Sequence, residues 1–311
     1  MSEKVTVLGA GTMGHGIAQL YAQAGYDVFL YDIKAEFLSN AVTRISTNLN
    51  MLIHEGVISE RDKESALSHI FTTIDLEEAV KDTTFVTEAA SENLDIKFSL
   101  FKQLEELIEE DTVIASNTST FSLRQLSEGI QKKDRLIITH FFNPAQIVPL
   151  VEVVKGPDTA QEIINRTVEV LKSIGKKPVV LKKDIPGLIA NRLQAALVRE
   201  AFYLLDEGIA SPEDIDLAIT NGPGFRWAFI GPLETADFGG LDIWKSVVEN
   251  LAPVLSKELK VPAFVEEKVR SGKLGTKTGS GLFTYADEEE VQQKIKRRDE
   301  NFVKLAKIKN S

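Results

Sequence analysis

The chain of 311 residues contains no cysteine, which excludes disulfide bonds, thiolate catalysis and cysteine-based zinc or iron–sulfur sites. Only four histidines are present, and their scattered positions give no metal-ligand spacing, so we predict no metal site. No uninterrupted apolar run approaches the roughly 20 residues that a membrane-spanning helix needs. The formal net charge is −10, which does not favour general binding to nucleic acid or to an anionic membrane surface.

The N-terminal sequence MSEKVTVLGAG leads directly into a strand-like run and lacks the apolar segment of a signal peptide. We therefore expect a cytoplasmic protein. Hydrophobic residues make up 43% of the chain and charged residues 26%, which is ordinary for a globular protein. The length allows one large domain or two ordinary ones.

Up to about residue 183, short apolar runs rich in β-branched residues alternate with amphipathic segments. This alternation predicts a parallel sheet with helical crossovers, because strands covered on both faces are apolar throughout. The predicted helices include residues 12–24 and 94–109. The predicted strands are residues 5–9, 27–32, 84–89, 112–117, 136–142, 150–154 and 178–183.

From residue 185 onward the apolar residues recur at helical spacing, and we find no convincing strand beyond residue 183. The sequence therefore predicts an α/β domain over residues 1–184, with a doubly wound, mostly parallel sheet. An all-helical domain is predicted to follow over residues 185–311. The strongly charged tail, from residue 287 to the end, is expected to form a solvated helix or frayed end; an oligomer contact is the alternative.

The segment GAGTMG follows a predicted strand and opens a predicted helix, the context that a dinucleotide-binding loop requires. Its first glycine permits a tight turn, its second lets the backbone approach a pyrophosphate, and its third allows close helix–strand packing. The free N–H groups of the helix N-terminus attract the phosphates. We therefore predict a Rossmann-type domain whose phosphate-binding loop comprises Gly9, Ala10, Gly11, Thr12, Met13 and Gly14.

Asp32 ends the second predicted strand, where a carboxylate can bind the ribose hydroxyls of a dinucleotide and repel a 2′-phosphate. Ile33 offers no counter-charge for such a phosphate. NAD is therefore favoured over NADP as the cofactor. The alternative is a structural glycine turn with an unrelated acid nearby.

The segment THFFNPAQIVPLVEVV, residues 139–154, carries one imidazole and one carboxylate in an otherwise apolar stretch. If its two strands pair antiparallel about Gln146, His140 and Glu152 lie directly opposite each other. A neighbouring carboxylate orients an imidazole and stabilises its protonated form. A base of this kind removes the hydroxyl proton when an alcohol loses a hydride. The alternative is a satisfied buried pair with no catalytic role.

Two further polar features fit a ligand site. Ser119 lies in SNTSTFS, after a predicted strand, where ligands bind in open α/β sheets; capping of the next helix is the alternative. Asn191 lies in GLIANRLQ, on an otherwise apolar helix, and could reach a substrate oxygen. A structural hydrogen bond between the domains is an equal alternative for Asn191.

Taken together, these motifs resemble the L-3-hydroxyacyl-CoA dehydrogenase family over residues 4 to 286. The resemblance implies a Rossmann-type NAD domain, a helical domain that forms a homodimer, and a His–Glu catalytic pair. It also implies reversible oxidation of an (S)-3-hydroxyacyl-CoA, such as 3-hydroxybutyryl-CoA, to the 3-ketoacyl-CoA in fatty-acid β-oxidation. The shared motifs are GAGTMGHGIA, YD, EAASENLDIK, ASNTST, HFFNP with PLVEV, PGLIANR and KTGSGLF.

The resemblance also implies roles for individual residues. His140 is the expected base and Glu152 its partner, while Ser119 and Asn191 are expected to bind the substrate oxygen. Four more residues are expected to contact NAD, although the last of them could equally be an exposed loop lysine. They are Glu92, Lys97, Asn143 and Lys277.

Two departures from the family pattern leave the substrate open. The serine and lysine that hold CoA in well-known members align with Asn48 and Glu55, and an acid is a poor neighbour for phosphates. The segment GFRWAFIGPLETADFGG replaces a shorter turn and adds Arg226, which could pair with a free carboxylate or be an ordinary surface arginine.

The alternatives are therefore a dehydrogenase of a free 3-hydroxy acid, similar to L-gulonate 3-dehydrogenase or carnitine dehydrogenase, and a non-catalytic structural protein similar to a lens crystallin. A module that binds NAD without turnover is a third alternative.

Overall fold

The computed structural model of the chain describes residues 3–310, and eight strands form one sheet. In chain order the strands are β1 Lys4–Leu8, β2 Asp27–Tyr31, β3 Ile70–Thr73, β4 Phe85–Glu88, β5 Val113–Ser116, β6 Leu136–Phe141, β7 Leu150–Val154 and β8 Lys177–Leu181.

The strand order across the sheet is β3-β2-β1-β4-β5-β6-β7-β8. The first six strands run parallel to one another. β7 runs antiparallel to β6, and β8 is parallel to β7. The order reverses between β1 and β4, and in open α/β sheets ligands bind at the carboxyl ends of the strands at such a reversal. The predicted doubly wound, mostly parallel fold is confirmed.

Helices cover the sheet and continue beyond it. In chain order they are α1 Gly14–Gln23, α2 Ala35–His54, α3 Glu60–Ser68, α4 Leu76–Val80, α5 Leu94–Leu107, α6 Leu123–Leu126, α7 Gln161–Ser173, α8 Ala190–Asp206, α9 Pro212–Asn221, α10 Pro223–Trp227, α11 Pro232–Gly239, α12 Leu241–Leu251, α13 Ala263–Arg270 and α14 Glu288–Asn310.

The core lies on both faces of the sheet, because neighbouring residues of a strand point to opposite faces. Phe85 of β4 joins one apolar cluster with Val5, and the next residue, Val86, joins a second cluster with Ile114. Helices α1, α2 and α7 contribute to the first cluster, and α5 contributes to the second. This packing holds the carboxyl ends of β1, β2, β4 and β5 in fixed relative positions.

The sequence analysis missed one strand, β3. It has only four residues, Ile70–Thr73, and pairs only with β2, at the edge of the sheet. None of its residues is buried, and Phe71 is largely exposed. Such a short, half-exposed edge strand lacks the continuous apolar run that identified the central strands.

The chain divides into two compact units, and the division differs from the expected one. The first unit runs to Ile189, and the second is Ala190–Arg298, whereas we expected the boundary between residues 184 and 185. The stretch that begins at Asp299 belongs to the first unit, although we had placed the whole tail in the helical domain. The end of α14 therefore packs on the α/β unit, where Val303 is buried.

Within the second unit the named elements of the described chain are all helices, joined only by isolated bridges at Gly275, Ser280 and Thr284. Its helices bury few apolar side chains within the single chain. Leu233 and Phe238 on α11 and Leu241 on α12 are all largely exposed. Over residues 3–310, no helix has both the length and the apolar character to cross a membrane.

A buried ion pair joins α5 to β4. The Lys97 side chain is 0% exposed, and its Nζ donates to both carboxylate oxygens of Glu88, at 2.7 and 2.9 Å. The hydroxyl of Ser116 and the backbone N–H of Ala90 donate to the same carboxylate, at 2.5 and 2.8 Å. These bonds compensate the desolvation of the two charges, so removal of either partner leaves the other uncompensated.

We predict that Lys97→Met lowers the free energy of unfolding by about 3–5 kcal/mol, because the Glu88 carboxylate remains buried without its cation. Urea denaturation followed by circular dichroism measures this loss. Lys102→Met is the matched control, since Lys102 is exposed on the same helix, and its effect should stay within about 0.5 kcal/mol. Equal, small effects of both substitutions would contradict a structural role for the ion pair.

Candidate active site

The loop after β1 adopts a conformation that requires glycine at two positions. Gly9 has a φ of +101°, and a Cβ there would lie 2.5 Å from the carbonyl oxygen of Ala89. A Cβ at Gly14 would lie 1.7 Å from the carbonyl oxygen of Gly9, so α1 packs closely on the strand. At Gly11, by contrast, no atom of the described residues lies within 4 Å of such a Cβ. The backbone at Gly11 is therefore open to a ligand.

The carboxylate of Asp32 is fixed by two backbone donors at the end of β2. Its Oδ2 accepts from the N–H of Ala10 at 2.7 Å, and its Oδ1 accepts from the N–H of Ile33 at 2.7 Å. The carboxylate is thereby tied to the glycine loop. Its remaining lone pairs are available for the ribose hydroxyls of a dinucleotide.

A cavity of about 610 Å³ joins these groups to the ends of β4 and β5. Its size falls within the range of roughly 300–1,000 Å³ that is typical of small-molecule and cofactor sites. An approachable glycine backbone beside a fixed carboxylate fits a dinucleotide such as NAD. The residues that line the cavity are Gly9, Ala10, Gly11, Thr12, Met13, Asp32, Ile33, Phe37, Asn40, Arg44, Ala89, Ala90, Ser91, Glu92, Asn117 and Ser119.

Glu92 lines this cavity and organises the loop after β5. Its Oε1 accepts from the hydroxyl of Thr118 at 2.5 Å and from the N–H groups of Ser119 and Thr120, at 3.2 and 3.1 Å. Burial acts to raise the pKa of Glu92, but the Thr118 bond, the Lys97 charge and the Thr120 bonds outweigh it and lower that pKa. Glu92 is therefore a charged group that holds the Ser119 backbone.

Lys97 lies beneath the cavity and not on its wall. Its ammonium is fully buried, pairs with Glu88 and lies 3.4 Å from Oε2 of Glu92. Lys97 is not among the residues that line the cavity, and its expected contact with NAD stays a prediction. In this structure Lys97 supports Glu92, which itself lines the cavity.

His140 and Glu152 occupy opposite positions in the antiparallel pair of β6 and β7, in the predicted register. The imidazole Nδ1 lies 3.0 Å from Oε2 of Glu152, and the two residues are only 6% and 1% exposed. The other oxygen of Glu152 accepts from the N–H of Ile189 at 2.8 Å. The ring of Phe142 packs edge-on against the imidazole, with centroids 4.8 Å apart. The carboxylate and the imidazole are thus held in one orientation.

Two asparagines, Asn117 and Asn143, follow the ends of β5 and β6. The side-chain oxygen of Asn117 accepts from the N–H of Phe141 at 2.9 Å, which ties the end of β5 to the end of β6. Asn143 is exposed in the loop that follows β6, and its contact with NAD stays a prediction.

Three of the predicted residues belong to the second unit. Asn191 is half-buried at the start of α8, Arg226 is exposed on α10, and Lys277 is exposed in the turn between Gly275 and Gly279. Their roles toward substrate and NAD stay predictions.

The sequence analysis missed several contributors to this site. Glu88 pairs with Lys97 and accepts from Ser116. Thr118 donates to Glu92, and Arg44 lines the cavity together with Asp32. The signal for Glu88 was an acid at the end of an otherwise apolar strand. Arg44 gave no such signal, because a single arginine on the polar face of a helix is ordinary.

One group of possible metal ligands also escaped the sequence analysis. Side-chain ligand atoms of His54, Glu55 and Glu300 lie within 4.8 Å of one another. Glu300 is far from the other two residues in sequence but lies close to them where α14 meets the end of α2. The ammonium of Lys304, 3.9 Å from Glu55, already supplies positive charge to this group.

Comparison with known proteins covers both units. Residues 4–185 match the NAD binding domain of 3-hydroxyacyl-CoA dehydrogenase, and residues 187–285 match its C-terminal domain. The NAD predicted from the glycine loop and Asp32 is thereby confirmed as the cofactor.

The chain is similar to enzymes whose names give different substrates. It is 35% identical to 5-formyl-3-hydroxy-2-methylpyridine 4-carboxylate 5-dehydrogenase of Mesorhizobium japonicum, over 93% of each chain. A solved structure of an enzyme of that name aligns with a TM-score of 0.92 at 33% identity, over 100% of this chain and 99% of the other.

Two further relatives show the breadth of the group. Lambda-crystallin of Oryctolagus cuniculus is 34% identical over 98% of this chain and 96% of its own. The structure of (S)-3-hydroxybutyryl-CoA dehydrogenase from Ralstonia eutropha is 36% identical, with a TM-score of 0.76, over 92% of this chain and 100% of its own. Both units thus place the chain in the 3-hydroxyacyl-CoA dehydrogenase family, as an oxidoreductase that uses NAD.

Proposed function

We propose that the chain reversibly oxidises the secondary alcohol of a 3-hydroxy acid substrate, with His140 as the general acid and base. The observation that carries this proposal is the buried bond between His140 and Glu152, 3.0 Å long. The family match supplies the cofactor for such a reaction. Burial of a carboxylate costs free energy, so packing alone is a poor reason to place one beside an imidazole. A role in proton transfer explains the pair better.

NAD, when bound by the glycine loop and Asp32, would supply the hydride acceptor for the carbon that carries the hydroxyl group. His140 takes the hydroxyl proton at Nε2, since its Nδ1 is engaged by Glu152. The carboxylate stabilises the imidazolium that results. In the reverse direction the imidazolium returns the proton to the keto oxygen.

Ser119 and Asn191 are proposed to bind the oxygen at the reacting carbon. Ser119 lies on the wall of the NAD cavity, and its backbone is held by Glu92. A hydroxyl on a fixed backbone can donate to the substrate oxygen with little loss of side-chain freedom. Asn191 is the second residue of α8 and lies two residues after Ile189, whose N–H donates to Glu152.

The CoA thioester implied by the family resemblance fits the surface of α2 poorly. Asn48, one of the two positions that align with CoA-binding residues, donates its side-chain N–H to Gln19 at 3.0 Å. Glu55, the other position, has a side chain only 10% exposed, with Lys304 close by. Both side chains are thus already engaged, and a carboxylate repels the phosphates of CoA.

The C-terminal helix strengthens this argument. Lys307 of α14 donates to the backbone oxygen of Glu55, so the helix lies against the end of α2. The family match ends at residue 285, before α14 begins at Glu288. The 3-hydroxybutyryl-CoA dehydrogenase structure covers 92% of the chain, whereas the pyridine carboxylate dehydrogenase structure covers 100%. These facts favour a free 3-hydroxy carboxylate as substrate, with Arg226 as its partner.

We also propose that the helical unit forms a homodimer. Its exposed apolar side chains exceed what a stable monomer normally leaves in contact with water. Leu233 is 83% exposed, Phe238 74% and Leu241 65%. A second copy of the chain is the partner that would cover them, since most soluble oligomers are symmetric homo-oligomers.

We predict that His140→Gln lowers kcat by about a hundredfold to ten-thousandfold, because the general base is lost. Binding of NADH, measured by fluorescence titration, should change by less than roughly twofold. His69→Gln is the control. The imidazole of His69 lies 2.7 Å from the carboxylate of Asp27, at the amino-terminal end of β2, and the glycine loop lies at the opposite end of the strands. Normal turnover by the His140 variant would make the pair structural.

We predict that free 3-hydroxy acids, such as L-gulonate and carnitine, give higher kcat/KM than 3-hydroxybutyryl-CoA in a panel followed by NADH absorbance. Arg226→Gln should lower kcat/KM for free acids at least tenfold and leave the CoA ester unchanged, because the bidentate pair with the carboxylate is lost. A clear preference for the CoA ester would contradict the free-acid proposal and support a CoA thioester as the substrate. Turnover of no substrate, despite NADH binding, would favour a non-catalytic role.

We predict a mass of two chains by size-exclusion chromatography with light scattering. Leu241→Asp should shift the wild-type dimer toward monomer, because a charge would be buried in the interface. Ile74→Asp is the matched control, since Ile74 is an exposed apolar residue of the first unit, and it should leave the mass unchanged. A monomeric wild-type chain would overturn the dimer proposal.

A further inference from the structure

A second cavity, of about 580 Å³, lies between the C-terminal helix and the loop that joins β6 to β7; we call it the tail cavity. All of its walls belong to the first unit. One wall is formed by Phe302, Leu305 and Ala306 of α14. The facing walls come from residues 147–150, from Leu20 of α1 and from Ile174. Most of the lining is therefore apolar.

The polar lining of the tail cavity is cationic. Lys176, Lys177 and Lys309 contribute to it, and the described residues that line it include no aspartate or glutamate. This cluster is unusual in a chain whose formal net charge is −10. An apolar cavity of this size with convergent polar groups of one sign is the usual form of a small-molecule site.

Lys176 gives the tail cavity a fixed cationic point. The side chain is only 6% exposed, and its Nζ donates to the carbonyl oxygens of Ala145 and Val148, at 2.6 and 2.8 Å. An ammonium has three N–H donors, so one remains for a ligand among the described contacts. Burial lowers the pKa of Lys176 to about 7, and an anion bound beside it would favour the protonated form.

The tail cavity is separate from the NAD cavity. Within the described part of the chain, the two cavities share no lining residue. The loop that Lys176 holds nevertheless begins just after β6, the strand that carries His140. A ligand in the tail cavity would therefore contact the loop between the catalytic strand pair without entering the active site.

We propose that the tail cavity binds an amphipathic monocarboxylate, with its apolar body against α14 and residues 147–150 and its carboxylate at the lysine cluster. Charge complementarity identifies the anion, since the described residues that line the walls include three lysines and no aspartate or glutamate. The apolar walls identify the rest of the ligand, because burying hydrocarbon there removes it from water. A strongly charged anion without an apolar part, such as inorganic phosphate, would leave the apolar walls without a contact.

Isothermal titration calorimetry with decanoate tests this proposal on the full chain saturated with NADH, which keeps the NAD cavity filled. Wild-type protein should bind decanoate and bind decanol, which lacks the carboxylate, at least about fivefold more weakly. Ala306→Phe should weaken decanoate binding at least tenfold, because the added ring occupies the cavity. Turnover should be unchanged in this variant, since Ala306 lies outside the active site.

The charge is tested by Lys177→Gln combined with Lys309→Gln, which should weaken decanoate about fivefold and leave decanol unchanged. Lys172→Gln is the matched control, because Lys172 is exposed on α7 and is not among the cavity lining. Absence of decanoate binding, or equal binding by wild type and Ala306→Phe, would overturn the proposal. A change of oligomeric mass in Ala306→Phe would also overturn it, by assigning the surface to a second copy of the chain.

Discussion

The proposed chemistry depends on one antiparallel pairing, that of β6 with β7. It sets His140 directly opposite Glu152 and lets the imidazole and carboxylate meet at 3.0 Å. A slip of one residue in either strand would turn the side chains of that strand to the other face of the sheet and separate the imidazole from the carboxylate. The register is protected because both strands are almost wholly buried, so a slip would expose apolar side chains. Glu152 also accepts from the N–H of Ile189, which links the catalytic carboxylate to the end of the first unit.

The second organising feature is that the charged side chains beside the cofactor cavity of the first unit are compensated locally. Glu88 is paired with Lys97, and Asp32 is bonded by backbone N–H groups. Glu92 takes three donors from the loop that carries Ser119. Because an uncompensated buried charge costs several kcal/mol, the pair of Glu88 and Lys97 permits few alternative conformations. The cofactor wall is therefore rigid where Glu92 and Asp32 lie, and it owes that rigidity to residues such as Lys97 that do not touch the cavity.

Local signals in the sequence predicted the fold, the glycine loop and the pairing of His140 with Glu152. The glycine loop is continuous in sequence, and His140 and Glu152 are joined by one turn, so their register followed from symmetry about Gln146. Long-range contacts were not predictable in this way. The side chain of Lys97 points inward because it pairs with Glu88, which lies on another element. The sparse apolar residues of the tail are covered because the end of α14 packs on the first unit. The edge strand β3 was missed because it is too short and too exposed to show a pattern.

The distribution of these features explains how one family can keep its reaction and change its substrate. Proton transfer needs only the carbon with the hydroxyl group to reach His140, whereas the far end of the substrate is recognised by other elements. This chain has Glu55 at the position that aligns with a CoA-binding lysine of the family, and α14 contacts Glu55 through Lys304 and Lys307. The negative charge of Glu55 and the positive charge of Lys304 on α14 compensate each other, so the acid and the helix depend on one another. Loss of the acid alone would remove the carboxylate beside Lys304, whereas Lys307 would still donate to the backbone oxygen of residue 55, so the helix would still cover the surface.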